Sequence, residues 1–200
     1  AFYIPSGSME DTLLVGDRVV VSKLTPGPFD LARGDVVVFE DPAQWLPDTV
    51  VVQRSGVAGA VHDGLVFVGL LPAESEDHLI KRVIGLPGDH VVCCGESGLL
   101  SVNGVEVAEA YVKPGDEPSS LSFDITVPPG HVWVMGDHRS DSEDSRYHDD
   151  PSGDGSDGSV PIADVTGRAV AVVWPLARLD WLSDHPETFA DVPSGEPAAP

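Results

Sequence analysis

Two hundred residues suffice for one domain with a full core and at most a small inserted subdomain. The hydrophobic content of 42% is that of a globular protein, and 21 glycines with 18 prolines favour turns over long helices. Asp and Glu number 33 against 11 Lys and Arg, a net charge of −22 that excludes the basic footprint nucleic-acid binding requires. The ordinary reading of such an excess is solubility through self-repulsion. No apolar run reaches the roughly 18–20 residues of a membrane span, and no signal-peptide pattern opens the chain.

In chain order, short β-branched runs dominate. Residues 18–21, 35–39, 65–68, 90–92, 131–135 and 169–174 predict strands bounded by Gly, Pro and Asp, and residues 79–84 form a further strand-like segment. Residues 100–102 and 105–107 flank Asn103-Gly104 and predict a hairpin, because Asn-Gly readily takes the positive φ of a type I′ turn. Helices are expected to be short, at 9–15 and 177–182. Residues 43–64 and the acidic stretch 149–159 read as loops; the latter lacks the frame of a calcium loop, so no metal is expected. Residues 183–200 are polar and Pro-rich and are expected to be disordered. Cys93 and Cys94 are adjacent; a trans separation of about 3.8 Å falls below the usual disulfide span of about 4.4–6.8 Å. They read as two small apolar strand residues. The expected fold is mainly β.

Three separated stretches carry candidate chemistry. In Pro5-Ser6-Gly7-Ser8-Met9, Gly7 permits close backbone approach to a ligand, so Ser8 suits an exposed nucleophile. Its N–H with the Ser6 hydroxyl would then make an oxyanion hole. Alone, Ser-Gly-Ser is more often a plain loop. Lys81 lies in the apolar run Leu79-Ile80-Lys81-Arg82-Val83-Ile84 and, if buried, would have a lowered pKa and serve as a base. The bland alternative is an exposed charge on an edge strand. In a strand, Lys81 and Arg82 face opposite ways, so one can enter a site while the other makes a structural ion pair. From Gly136 to Arg146, serines alternate with aspartates, a glutamate and arginines, which suits either a solvated loop or a braced site. Together the three suggest a serine hydrolase whose base is Lys81, a better fit than any of the seven histidines.

In this order, the three segments resemble type I signal peptidases, membrane-anchored Ser/Lys endopeptidases, of the actinobacterial kind. The pattern Pro-Ser-x-Ser-Met-x-x-Thr-Leu-x-x-Gly-Asp is matched by Pro5, Ser6, Ser8, Met9, Thr12, Leu13, Gly16 and Asp17. Arg33 to Phe39 is similar to the next motif, Lys81 to Asp89 to the lysine motif, and Gly136 to Arg146 to the last one. The resemblance implies Ser8 as nucleophile, Lys81 as general base, and Ser6 as oxyanion donor. It also implies that Ser142 orients the lysine, and that Asp144 with Arg146 or Arg82 forms bracing ion pairs. Ile4, Met9 and Ile84 are expected to line shallow pockets for small residues.

The implied fold is a mostly antiparallel signal-peptidase-like catalytic core over residues 1–182, with short helices and a small β insertion at 90–130. The implied substrates are signal-peptide-bearing preproteins cut after Ala-x-Ala type sites, without a cofactor. The implied location is the extracytoplasmic face of the plasma membrane, held by an anchor that this soluble catalytic fragment lacks. Two departures lie near the nucleophile: His138 stands in place of Asn, and Glu10-Asp11 in place of x-Pro. Alternative readings are a self-cleaving repressor-like or conjugative-transfer-type Ser/Lys peptidase, and a non-enzymatic extracytoplasmic β binding module.

Overall fold

Strands form where the β-branched runs lie. The computed structural model describes residues 1–42, 45, 78–149 and 153–195. Its strands are β1 (Phe2–Tyr3), β2 (Arg18–Ser22), β3 (Val36–Glu40), β4 (His78–Gly85), β5 (His90–Cys93) and β6 (Leu100–Val102). They continue as β7 (Val105–Val107), β8 (Phe123–Thr126), β9 (His131–Met135), β10 (Val160–Pro161), β11 (Val165–Trp174) and β12 (Asp180–Trp181). Among the described residues one sheet has eight strands in the order β1-β2-β11-β3-β4-β9-β10, with β12 beside β11. A second sheet, β7-β6-β5-β8, has four. Their pairings are antiparallel.

The second sheet is built from residues 90–126, within the expected insertion. Its hairpin turns at Asn103 and Gly104, with φ of 51° and 80°, as the Asn-Gly pair predicts. The predicted strand at 65–68 and most of the loop at 43–64 lie outside the described residues.

The central strand β4 is covered on both faces. Val37 and Val36 of β3 lie opposite Lys81 and Arg82. One face of β4 carries Leu79 and Val83, which pack with Val37, Phe39, Val132 and Val134. The other carries Ile80, packed with Ile4, Met9 and Leu13, and Ile84, packed with the second sheet and Trp133. Burying each such side chain contributes about 1.5–3 kcal/mol, so β4 is held firmly wherever its charged pair must point.

Several expectations are corrected. Residues 9–15 form successive turns rather than a helix, with Asp11 at φ 90°. Residues 177–182 do not form the expected helix: a 3-10 turn at Leu176–Arg178 gives way to β12. The tail is ordered as far as it is described: Phe189 and Val192 are buried in the core beside the second sheet, so two apolar residues outweigh the polar composition around them. Residues 196–200 lie outside the described residues. Cys93 and Cys94 are joined as a disulfide. The expectation of two separate thiols is thereby corrected: the sulfurs of two adjacent residues are bonded to each other. Trp45 is buried, stacked on His148 and edge-on to Phe39. No helix among the described residues is long and apolar enough to cross a membrane.

Candidate active site

Ser8 sits in the loop joining β1 to β2. Ile4 N–H donates to Asp17 and Gly16 N–H to Ile4, closing the loop at its base. Within it Met9 and Leu13 are buried anchors, and Gly16 turns the chain at φ 97°, a conformation that favours glycine. The Asp17 carboxylate accepts from Leu14 N–H and pairs with Arg178 at 2.9 Å. Two apolar anchors and one braced aspartate thus fix the stretch that carries Ser8.

Lys81 Nζ lies 2.7 Å from Ser8 Oγ, and both side chains are buried. Lys81 shares its strand face with Val83 and Leu79 of an apolar cluster, and its side chain is almost wholly removed from water. Burial pushes the amine down from its ordinary value of 10.5 to about 8, against the opposing pull of Asp144 and Asp137. About a tenth of such amines are neutral at pH 7, against one in a few thousand at the ordinary value.

Arg82 points the other way, as strand alternation requires. It makes a paired contact with Asp137, Nε at 2.9 Å and Nη2 at 2.7 Å, with neither side chain exposed. Thr12 donates to the same carboxylate at 2.5 Å and accepts from Arg82. One residue from each of three motifs, Thr12, Arg82 and Asp137, therefore meets here. Tyr111 lies against the Arg82 guanidinium, 4.1 Å from ring centre to Cζ.

Asp144 pairs with Arg146, Nε to Oδ1 at 2.7 Å, rather than with Arg82. It also accepts from Gly136 N–H at 2.9 Å and from Ser142 Oγ at 2.8 Å. Burial pushes the Asp144 carboxyl up, but the Arg146 bonds and charge pull it below the usual range. Gly136 is a glycine for steric reasons: a Cβ there would run into the Ser142 side chain and the Ser8 carbonyl. Behind it, Arg139 is clamped to Glu109 at 2.6 Å, both nearly fully buried.

Ser6, Gly7, Ser8, Leu79, Lys81, Ser140, Asp141, Ser142, Glu143 and Tyr147 line a cleft of about 410 Å³. Neither Ser6 Oγ nor Ser8 N–H bonds any described residue. A second opening of about 440 Å³, bordered by Tyr111, Arg178, Trp181 and His185, contains neither Ser8 nor Lys81. Among the described residues no group of three or more His, Cys, Asp or Glu is arranged to hold a metal.

Of the residues expected at the site, Ser6, Ser8, Lys81 and Ser142 share the cleft, while Arg82, Asp144 and Arg146 stand buried behind it. Ile4, Met9 and Ile84 do not line it. They are packed in the core, so the expected pocket role is corrected: apolar residues beside the motifs are drawn inward by burial. Sequence reasoning missed Thr12, Asp137, Gly136, Glu109 and Arg139. Thr12, Gly136, Asp137 and Arg139 stand inside the motifs themselves, and only the pairings were illegible.

The signature of the family described as "Signal peptidase, peptidase S26" matches residues 1–174. The chain belongs to this family of serine endopeptidases, the signal peptidases. It is 38% identical over 201 residues to the probable signal peptidase I of Mycobacterium leprae, covering 88% of this chain and 69% of that protein. It is 39% identical to the signal peptidase I of Mycobacterium tuberculosis H37Rv, covering 88% and 65%. The chain thus spans about two thirds of the length of these actinobacterial relatives. A crystal structure of a signal peptidase I from Enterococcus faecalis V583 overlaps 70% of this chain and 97% of its own, at 26% identity and a TM-score of 0.42.

Proposed function

We propose that this chain cleaves signal peptides from exported preproteins after small residues at Ala-x-Ala type sites, with Ser8 as nucleophile and Lys81 as general base. The observation that carries this reading is the 2.7 Å contact between a buried amine with a lowered pKa and a serine hydroxyl at the wall of an open cleft. Neutral Lys81 takes the Ser8 proton as Oγ attacks the scissile carbonyl. The Ser8 N–H and Ser6 hydroxyl, both uncommitted, stabilise the oxyanion. Lys81 then returns its proton to the leaving amine, giving the acyl-enzyme. Water attacks the ester with Lys81 again accepting a proton, and Ser8 is regenerated. The orienting of the amine is assigned to Ser142, which shares the cleft and donates its hydroxyl to Asp144, whereas the bond Lys81 makes here is to Ser8. Family resemblance puts this work on the extracytoplasmic face of the plasma membrane, with a membrane anchor.

The test is to incubate the purified chain with a preprotein. Cleavage after the small residue, lost in both Ser8→Ala and Lys81→Arg, is the expected result; arginine keeps charge and reach but does not deprotonate. Full activity in Lys81→Arg removes the lysine from the mechanism. A single cut in the chain itself, with the preprotein intact, favours the self-cleaving reading.

A further inference from the structure

His138, the histidine that replaces the motif's asparagine, touches the backbone on either side of the nucleophile's own amide. Its Nδ1 lies 3.1 Å from the Gly7 carbonyl, and its backbone N–H donates to the Ser8 carbonyl at 3.1 Å. Its Nε2 lies 3.1 Å from Lys113 Nζ. Lys113 in turn donates to Glu10 at 2.7 Å. Glu10 Oε2 stands 3.6 Å and Asp141 Oδ2 3.9 Å from Nδ1.

The chemistry of the partners assigns the tautomer. A carbonyl only accepts, so Nδ1 carries the hydrogen; an ammonium only donates, so Nε2 is the acceptor. Lys113 therefore donates to both Glu10 and His138 Nε2, and His138 Nδ1–H donates to the Gly7 carbonyl. The Gly7 carbonyl belongs to the same peptide unit as the Ser8 N–H. In a trans peptide these two groups point in opposite directions. Holding the carbonyl back toward His138 turns the N–H forward. The Glu10 N–H also bonds this carbonyl at 2.9 Å, closing the local turn. His138 adds the long-range hold, from 131 residues away.

We propose that His138, locked as its Nδ1–H tautomer by Lys113 and Glu10, is a positioning residue that aims the Ser8 N–H at the reaction's oxyanion. The proposal rests on the reading of Ser8 as nucleophile and oxyanion donor. Its consequence is selective: His138 matters where negative charge develops, not where the ground-state peptide binds.

The experiment compares the full chain with His138→Ala and His138→Asn against two probes of one sequence. A peptide aldehyde ending in Ala adds Ser8 Oγ to its carbonyl and loads the oxyanion site; the matching peptide amide does not react. His138→Ala is expected to lose about tenfold or more in aldehyde affinity and in kcat, with amide affinity and KM unchanged. His138→Asn is expected to recover most of both, since its amide nitrogen is as many bonds from the backbone as Nδ1. Equal losses for aldehyde and amide, or none for the aldehyde, overturn the proposal. A wild-type chain that takes no aldehyde sinks the Ser8 assignment and this proposal together, a result distinguishable from the first two. Nitrogen-15 spectra of the wild-type ring give a check that needs no variant to fold. The Nδ1–H signature supports the lock, and the Nε2–H signature removes it.

Discussion

Lys81 Nζ and Ser8 Oγ, 73 positions apart in the chain, lie 2.7 Å from each other. The amine is lowered by burial to about 8, and only its neutral form accepts a proton. The rate is therefore expected to rise with pH through about 8 and level off above it. Measurement of kcat/KM from pH 6.5 to 9.5 checks this. Asp144 opposes the shift by favouring the charged amine, so Asp144→Asn is expected to move the rising limb to lower pH. A limb that moves upward contradicts the assignment.

The same burial has a cost in stability. Below pH 8 the folded chain carries a buried charged amine, a penalty of about 3 kcal/mol against the solvated one. Between about 8 in the folded chain and the ordinary 10.5, the unfolded chain binds more protons, so stability rises with pH and the penalty fades. Lys81→Met is expected to be inactive yet more stable than wild type at pH 7, by up to about 3 kcal/mol, with the gap shrinking toward pH 10. Urea midpoints at both pH values read it; a gap that does not change with pH counts against the sign argued here.

Arg82 and Asp137 form an ion pair with no exposed side-chain surface. Removing one partner strands the other charge, so Asp137→Ala is expected to cost about 3–5 kcal/mol in denaturant unfolding. The double change Arg82→Met with Asp137→Leu is expected to recover much of this stability, because it leaves no charge unpaired. Equal losses in the single and double variants would show that shape rather than charge holds this layer.

Gly136 leaves room for Ser142 and the Ser8 carbonyl where a methyl group would collide. Gly136→Ala is expected to shift the nucleophile and lower kcat by about a hundredfold. Circular dichroism should show the sheets intact. Wild-type kcat in this variant would mean the backbone yields freely there.

Much of the site was legible because its chemistry is compressed into short motifs. That Ser8 and Lys81 come together was expected from residue type and order, and the opposite facing of Lys81 and Arg82 follows from strand alternation. What failed were readings that needed the third dimension. Ile4, Met9 and Ile84 sit beside the motifs in sequence, yet burial draws them into the core. Phe189 and Val192 lie in a polar, Pro-rich tail, yet close the core beside the second sheet.

Residue order by itself determined the β character and the Asn103-Gly104 hairpin, because periodicity and turn chemistry act over a few neighbours. Only the tertiary structure decided which carboxylate each arginine meets: Asp137 for Arg82, Asp144 for Arg146 and Glu109 for Arg139. It alone brought His138 against the Gly7 carbonyl. The reason is physical. Such pairings and the desolvation of Lys81 depend on which strands pack over one another, and that is set by the burial of the whole core rather than by any one segment.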